Sequence, residues 1–127
     1  MDRIQIVQDV IARYENKEVE YGVRDCCQFA GAVYKEITGK DVMEHFDYSS
    51  EEEAYEIIEE RGGWDAMLED VLGEPIYQGF RNGDPVLVNI PTVGYALGVM
   101  FLDLPVILTE QRFIQAPKSM IVKGWKA

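Results

Sequence analysis

Two adjacent thiols preceded by a carboxylate, Asp25-Cys26-Cys27, are the residues of this chain best equipped for chemistry. Asp25 can cap a helix, and the apolar positions that follow, Phe29, Ala30, Val33 and Ile37, form one helical stripe. Continuing that stripe backward by three or four residues lands on Cys26, so its sulfur points at whatever the helix packs upon, while helix geometry turns Cys27 about 100° away. A thiol in the first helical turn meets the positive end of the helix dipole and unpaired backbone amides, which favour the nucleophilic thiolate. Asp25 opposes that effect. The competing reading is packing, because cysteine is among the most buried residue types and an isolated thiol in a reducing compartment is ordinarily inert. A disulfide between chain neighbours would be strained, so two free thiols are expected. With one histidine in the chain there is no zinc ligand set, and no cofactor or metal is expected.

The elements that position these residues follow from hydrophobic period. Ile4, Val7, Ile11 and Tyr14 recur at helical spacing after Asp2, which predicts an amphipathic helix over residues 3–16. The cysteine helix covers 26–38 and stops at Thr38-Gly39, where glycine suits a left-handed cap. Ser49 and Ser50 each stand three residues before a glutamate, the spacing of a capping box, so a third helix follows to Arg61. Gly62-Gly63 ends it, and Trp64, Met67, Leu68, Val71 and Leu72 predict a short fourth helix ending near Gly73. From Pro75 the period changes. Segments rich in Val, Ile, Phe and Tyr, separated by turn-forming residues, predict strands near 76–79, 85–90, 95–102, 106–110, 112–115 and 120–126. Helices first and strands afterwards predict an α+β domain, its N-terminal helices packed on a C-terminal antiparallel sheet.

Length and charge bound the function. A chain of 127 residues fits one domain over 1–127, with a helical half at 1–74 and a sheet half at 75–127. The first half carries seven basic and 20 acidic side chains, net −13, and the second is net +2, giving −11 in all. So acidic a first half repels phosphate backbones, and no basic stripe interleaved with aromatics is present, which disfavours nucleic acid. No apolar run approaches the roughly 18 to 20 residues of a membrane span, and the opening residues read as an amphipathic helix rather than a signal peptide. The chain is therefore expected to stay where it is made unless an assembly carries it out.

The run Tyr21-Gly22-Val23-Arg24-Asp25-Cys26-Cys27-Gln28-Phe29 resembles the aromatic-Gly-x-x-Asp-Cys-x-x-Phe signature of NlpC-type domains, in the papain-like cysteine peptidase superfamily. Thr38-Gly39-Lys40-Asp41, Tyr48 before the Glu-rich third helix, Arg61-Gly62-Gly63, Gly83-Asp84-Pro85-Val86-Leu87-Val88, Tyr95-Ala96-Leu97-Gly98-Val99 and Trp125 are similar to a small phage-encoded branch of that group. The resemblance covers nearly the whole chain and implies a papain-like core. It also implies a cysteine nucleophile at Cys26, a histidine on the second core strand and a polar residue to orient it. At the histidine's place this chain has Ala96, which cannot accept a proton. The only imidazole, His45, lies between two helices and reads as a loop histidine; it serves as a base only if that loop folds back over Cys26. Gln111 and Gln115 can hydrogen-bond without acting as bases, and Asp84 and Asp103 read as turn residues. The Glu51-Glu52-Glu53 and Glu59-Glu60 clusters read as a solvated helix face, and Trp64 and Trp125 as core residues rather than carbohydrate platforms.

Three functions follow in order of preference. The first is a non-catalytic adaptor in a phage tail tip or baseplate, contacting other tail proteins and carried in the virion after synthesis in the host cytoplasm. The second is an active hydrolase that cuts peptidoglycan peptides during entry with Cys26 as nucleophile. The third is a host-directed binder that presents its acidic helical face to a basic partner.

Overall fold

Capping decides where each helix begins. In the computed structural model, which describes residues 2–110 and 112–127, Asp2 accepts the Gln5 amide at 3.2 Å and opens α1, Arg3–Tyr14. The helix ends two residues before the periodicity predicts, because Glu15 is extended and Asn16 takes φ +60°. Val7 and Val10 are its fully buried residues, while Ile4, expected in the apolar stripe, stays exposed at the outer edge. Helix α2, Cys26–Thr38, has the predicted limits: Asp25 Oδ1 accepts the Gln28 amide at 2.8 Å, and Gly39 stops it at φ +81°. In α3, Glu51–Glu60, Ser50 Oγ caps the Glu53 amide at 3.1 Å and the Glu53 carboxylate accepts the Ser49 amide at 2.9 Å. Helix α4 is Trp64–Leu72.

Five strands follow, β1 Pro85–Ile90, β2 Gly94–Phe101, β3 Leu104–Leu108, β4 Phe113–Gln115 and β5 Ile121–Gly124. They form one antiparallel sheet in the order β4-β3-β2-β1-β5. The strand expected at 76–79 is absent: Ile76 makes a single bridge to Gly124, and Tyr77 and Gln78 turn out to solvent. An isolated pair with no buried face does not repay the ordering of a longer ladder. The turn expected at 103–105 falls one residue earlier. Leu102 and Asp103 both adopt positive φ, the two-residue reverse turn whose twist matches an antiparallel hairpin. Pro105 therefore lies inside β3, where its carbonyl, and with it the missing amide, faces Ala116 rather than β2.

Strand alternation splits the interior in two. On one face Leu87, Leu97, Val99, Val106 and Leu108 meet Val7, Val10, Phe29, Val33 and Trp125. On the other, Val86, Val88, Ala96, Met100 and Ile107 are covered by Phe80, Ile114, Met120 and Ile121. Helix α2 lies on β2 and against α1, and Phe29 is its anchor, fully buried and edge-on to Phe113 at 4.8 Å and to Tyr14 at 6.0 Å. Burying one such side chain is worth roughly 1.5–3 kcal/mol, so Phe29 and Val33 contribute strongly to seating α2 on the sheet. Trp125 is wholly buried as expected, its indole N–H donating to the Gly73 carbonyl at 2.9 Å.

Candidate functional site

Asp25 organises the head of α2. Its carboxylate is 4% exposed and accepts three neutral donors: the Gln28 amide, the Gly22 amide at 2.8 Å and the Tyr48 hydroxyl at 2.7 Å. Gly22 is required there, since it holds φ +88° and a Cβ would collide with the Tyr48 carbonyl oxygen. Two loops, before α2 and before α3, are thus tied to one carboxylate.

Cys26 occupies the first turn beside that hub, half-buried, and its neighbour Cys27 is likewise a half-buried free thiol. The pair divides its roles. Cys26 is held below the ordinary thiol range, first by a hydrogen bond from the Cys27 thiol and then by the Leu97 amide, against burial and the Asp25 charge. Cys27 is pushed well above that range by its bond to Cys26 and by burial. The lowering expected from the helix's own first turn thus comes mainly from a neighbouring thiol and a strand amide. That amide lies where β2, paired with β3 only from Val99 onward, has parted from it.

Cys26 packs against the cluster that holds Ala96 and Ile107, so at the strand position where the family resemblance calls for an imidazole this cleft has only a methyl group. Ala96 sits on β2 opposite Val88, 5% exposed, and lines the same cleft as Cys26. His45 is elsewhere. It is 75% exposed, with Nε2 at 3.3 Å from Glu44 Oε1, and lies outside that cleft. The 42–48 loop does fold over the head of α2, yet it brings Tyr48 and not His45 to the site. Gln115 donates to the Phe101 carbonyl at 3.4 Å, away from the thiols, and Gln111 lies outside the described residues. Asp103 serves its turn and pairs with Lys118 at 2.6 Å, whereas Asp84 does more than turn the chain and binds both chain ends.

Above Cys26 opens a cleft of about 440 Å³, within the size range of ligand sites. Its walls are the heads of α2 and α3 and the tips of the β1–β2 and β3–β4 connections, with Tyr21, Tyr48, Tyr55, Trp64 and Tyr95 as its aromatic lining. Sequence reasoning named none of the four tyrosines for a site role. A carboxylate buried at a helix start must find donors, which was a usable signal for Tyr48; the remaining tyrosines carry none in their spacing. Trp64, expected in the core, is half-buried and forms part of this wall. A second gap of about 60 Å³ beneath the 42–46 loop is lined mainly by apolar side chains, Met43 and Phe46 among them, and is small beside the cleft.

Fold and site together define an α+β domain in which a cysteine-headed helix packs on an antiparallel sheet beside an aromatic cleft. The family model for a domain of unknown function, DUF6950, matches residues 2–127, and the chain belongs to that family. No curated protein matches the chain. No helix among the described residues is long and apolar enough to cross a membrane.

Proposed function

We propose that the chain is a degenerate NlpC-like domain, a papain-like core that has lost its base and works as a structural or adaptor component of a phage tail tip or baseplate. One observation carries the non-catalytic part: the cleft that Cys26 lines has Ala96 at the strand position of the base and no imidazole, His45 being exposed outside it. A fold keeps its packing without its base, so loss of chemistry leaves a surface and a cleft available for assembly. The tail assignment is supported by the likeness of the Tyr21–Phe29 run and of the later motifs to the phage-encoded branch. The expected partners are other tail proteins, and the expected location is the virion. Peptide mass spectrometry of gradient-purified virions is the test. Recovery of this chain with the tail proteins is the expected result, and its recovery only from infected-cell lysate would overturn the assignment.

The second reading is a cysteine hydrolase acting on peptidoglycan peptides with Cys26 as nucleophile. The lowered thiol and the open cleft favour it. Against it, general acid–base help is worth about 10²- to 10⁴-fold, and no imidazole stands in the cleft to supply it.

A further inference from the structure

The cleft over Cys26 has a chemistry that the adaptor reading does not use. Its mouth exposes Tyr55, Val93 and Tyr95, which are 47%, 50% and 44% accessible, an apolar rim of the kind that marks an interaction site. Glu51 and Glu110 stand at that rim near Tyr21: its hydroxyl donates to Glu51 at 2.7 Å, and burial first, then that bond and the charges of Glu51, Cys26 and Glu110, keep it protonated. No lysine or arginine lines the cleft, and among the described residues neither glutamate forms a salt bridge.

We infer that this cleft docks an extended segment of a partner protein through a lysine or arginine side chain seated among Tyr21, Tyr55, Tyr95, Glu51 and Glu110. The complementarity is specific in sign. A phosphate or an acidic peptide meets two carboxylates with nothing to neutralise it. An uncharged apolar group covers those carboxylates and strips their water without replacing it, which is costly. A cationic side chain satisfies both carboxylates, lays its aliphatic stem on the exposed rings and takes up the cation–π attraction that tyrosine faces offer. The inference rests on the adaptor reading in one respect: a domain that cleaved its partner would not retain it.

The experiment titrates isotope-labelled protein with three end-blocked peptides, identical except for a central lysine, norleucine or glutamate, and follows backbone amide shifts together with Trp64 fluorescence. The lysine peptide is expected to shift Tyr21, Thr92, Tyr95 and Thr109. Raising salt from about 0.05 to about 0.5 M should weaken it several-fold, since exposed charges are screened beyond a Debye length. Glu51→Gln with Glu110→Gln, both at exposed positions, should weaken it by about 5-fold, the scale of two exposed charge contacts. Equal binding of the norleucine peptide, tighter binding of the glutamate peptide, or no cleft shifts with the lysine peptide would each overturn the inference and leave the non-catalytic reading standing. Cleavage of the bound lysine peptide would leave the docking intact and remove the adaptor reading instead.

Discussion

Two buried carboxylates sit at equivalent points in the two halves of the chain and do different work. Asp25 immediately precedes α2 and Asp84 immediately precedes β1, and each accepts the amide three residues before it, Gly22 and Arg81, both at 2.8 Å. Each also reaches a distant segment. Asp84 takes the Ala127 amide at 2.9 Å and Arg3 Nη1 at 3.2 Å, so the first helix and the last residue close on a carboxylate whose charge is matched. Asp25 takes only neutral donors, and its charge is felt by its neighbours: it opposes the lowering of Cys26 and adds to the hydrogen bonding and burial that raise Cys27 and to the burial that raises Tyr48 and Tyr14. A matched buried charge fastens a fold, whereas an unmatched one shapes the protonation of everything around it. The cleft lies beside the second kind.

Removing each carboxylate sharpens that contrast. Asp84→Ala removes the counter-charge of the part-buried Arg3 guanidinium, leaving it the Asn82 and Ala127 carbonyls, and unpairs two part-buried amides, and should cost about 3–5 kcal/mol, the range for breaking a buried ion pair from one side. Asp25→Ala leaves only neutral donors unpaired and should cost less, about 2–3 kcal/mol. Urea unfolding midpoints of the two variants give the order, and a larger loss for Asp25→Ala would reverse the assignment of roles.

Tyr48→Phe comes next, at about 1.5–2 kcal/mol for one hydrogen bond to a buried carboxylate. The same residue predicts a pH effect. Tyr48 is raised above the ordinary tyrosine value first by burial and then by the charges of Cys27 and Asp25, and Cys27 is raised as well. Unfolded tyrosine ionises near pH 10 while the folded residue stays protonated, so the unfolded state releases protons first. Stability should therefore fall as pH rises past about 10, and Tyr48→Phe should flatten that fall. Equal alkaline slopes in both proteins would remove Tyr48 from the account.

His45→Ala is the smallest effect, within about 0.5 kcal/mol, as for an exposed residue without buried partners. A change of thiol reactivity in that variant would place the imidazole nearer Cys26 than the structure does.

Helix starts were legible because side-chain caps announce them: Asp2, Asp25 and Ser50 each accept the amide three residues on. The order of helices and strands followed from period, but the thiols did not: Cys27 joins the Phe29 and Val33 core, while Cys26, expected on that stripe, packs against the Ala96 and Ile107 cluster. Local pattern could not show that Pro105 would be housed inside a strand, or that residues 76–79 would lack a partner, because both depend on which backbone lies alongside. The cleft was illegible for the same reason. Tyr21, Tyr48, Tyr55 and Tyr95 come from four separate segments, and only the closure of two loops on Asp25 brings them around one thiol. Glu51 reads as a helix-surface residue in the sequence, and it is one; its place beside Tyr21 is a tertiary fact.

Hydrolysis of purified muropeptides, followed by chromatography for the wild-type protein and Cys26→Ala side by side, tests the central claim most directly. A thiol that shares its cleft with Ala96 and with no imidazole predicts the same background trace from both proteins across neutral pH. Product formed by the wild type and abolished in Cys26→Ala would contradict it.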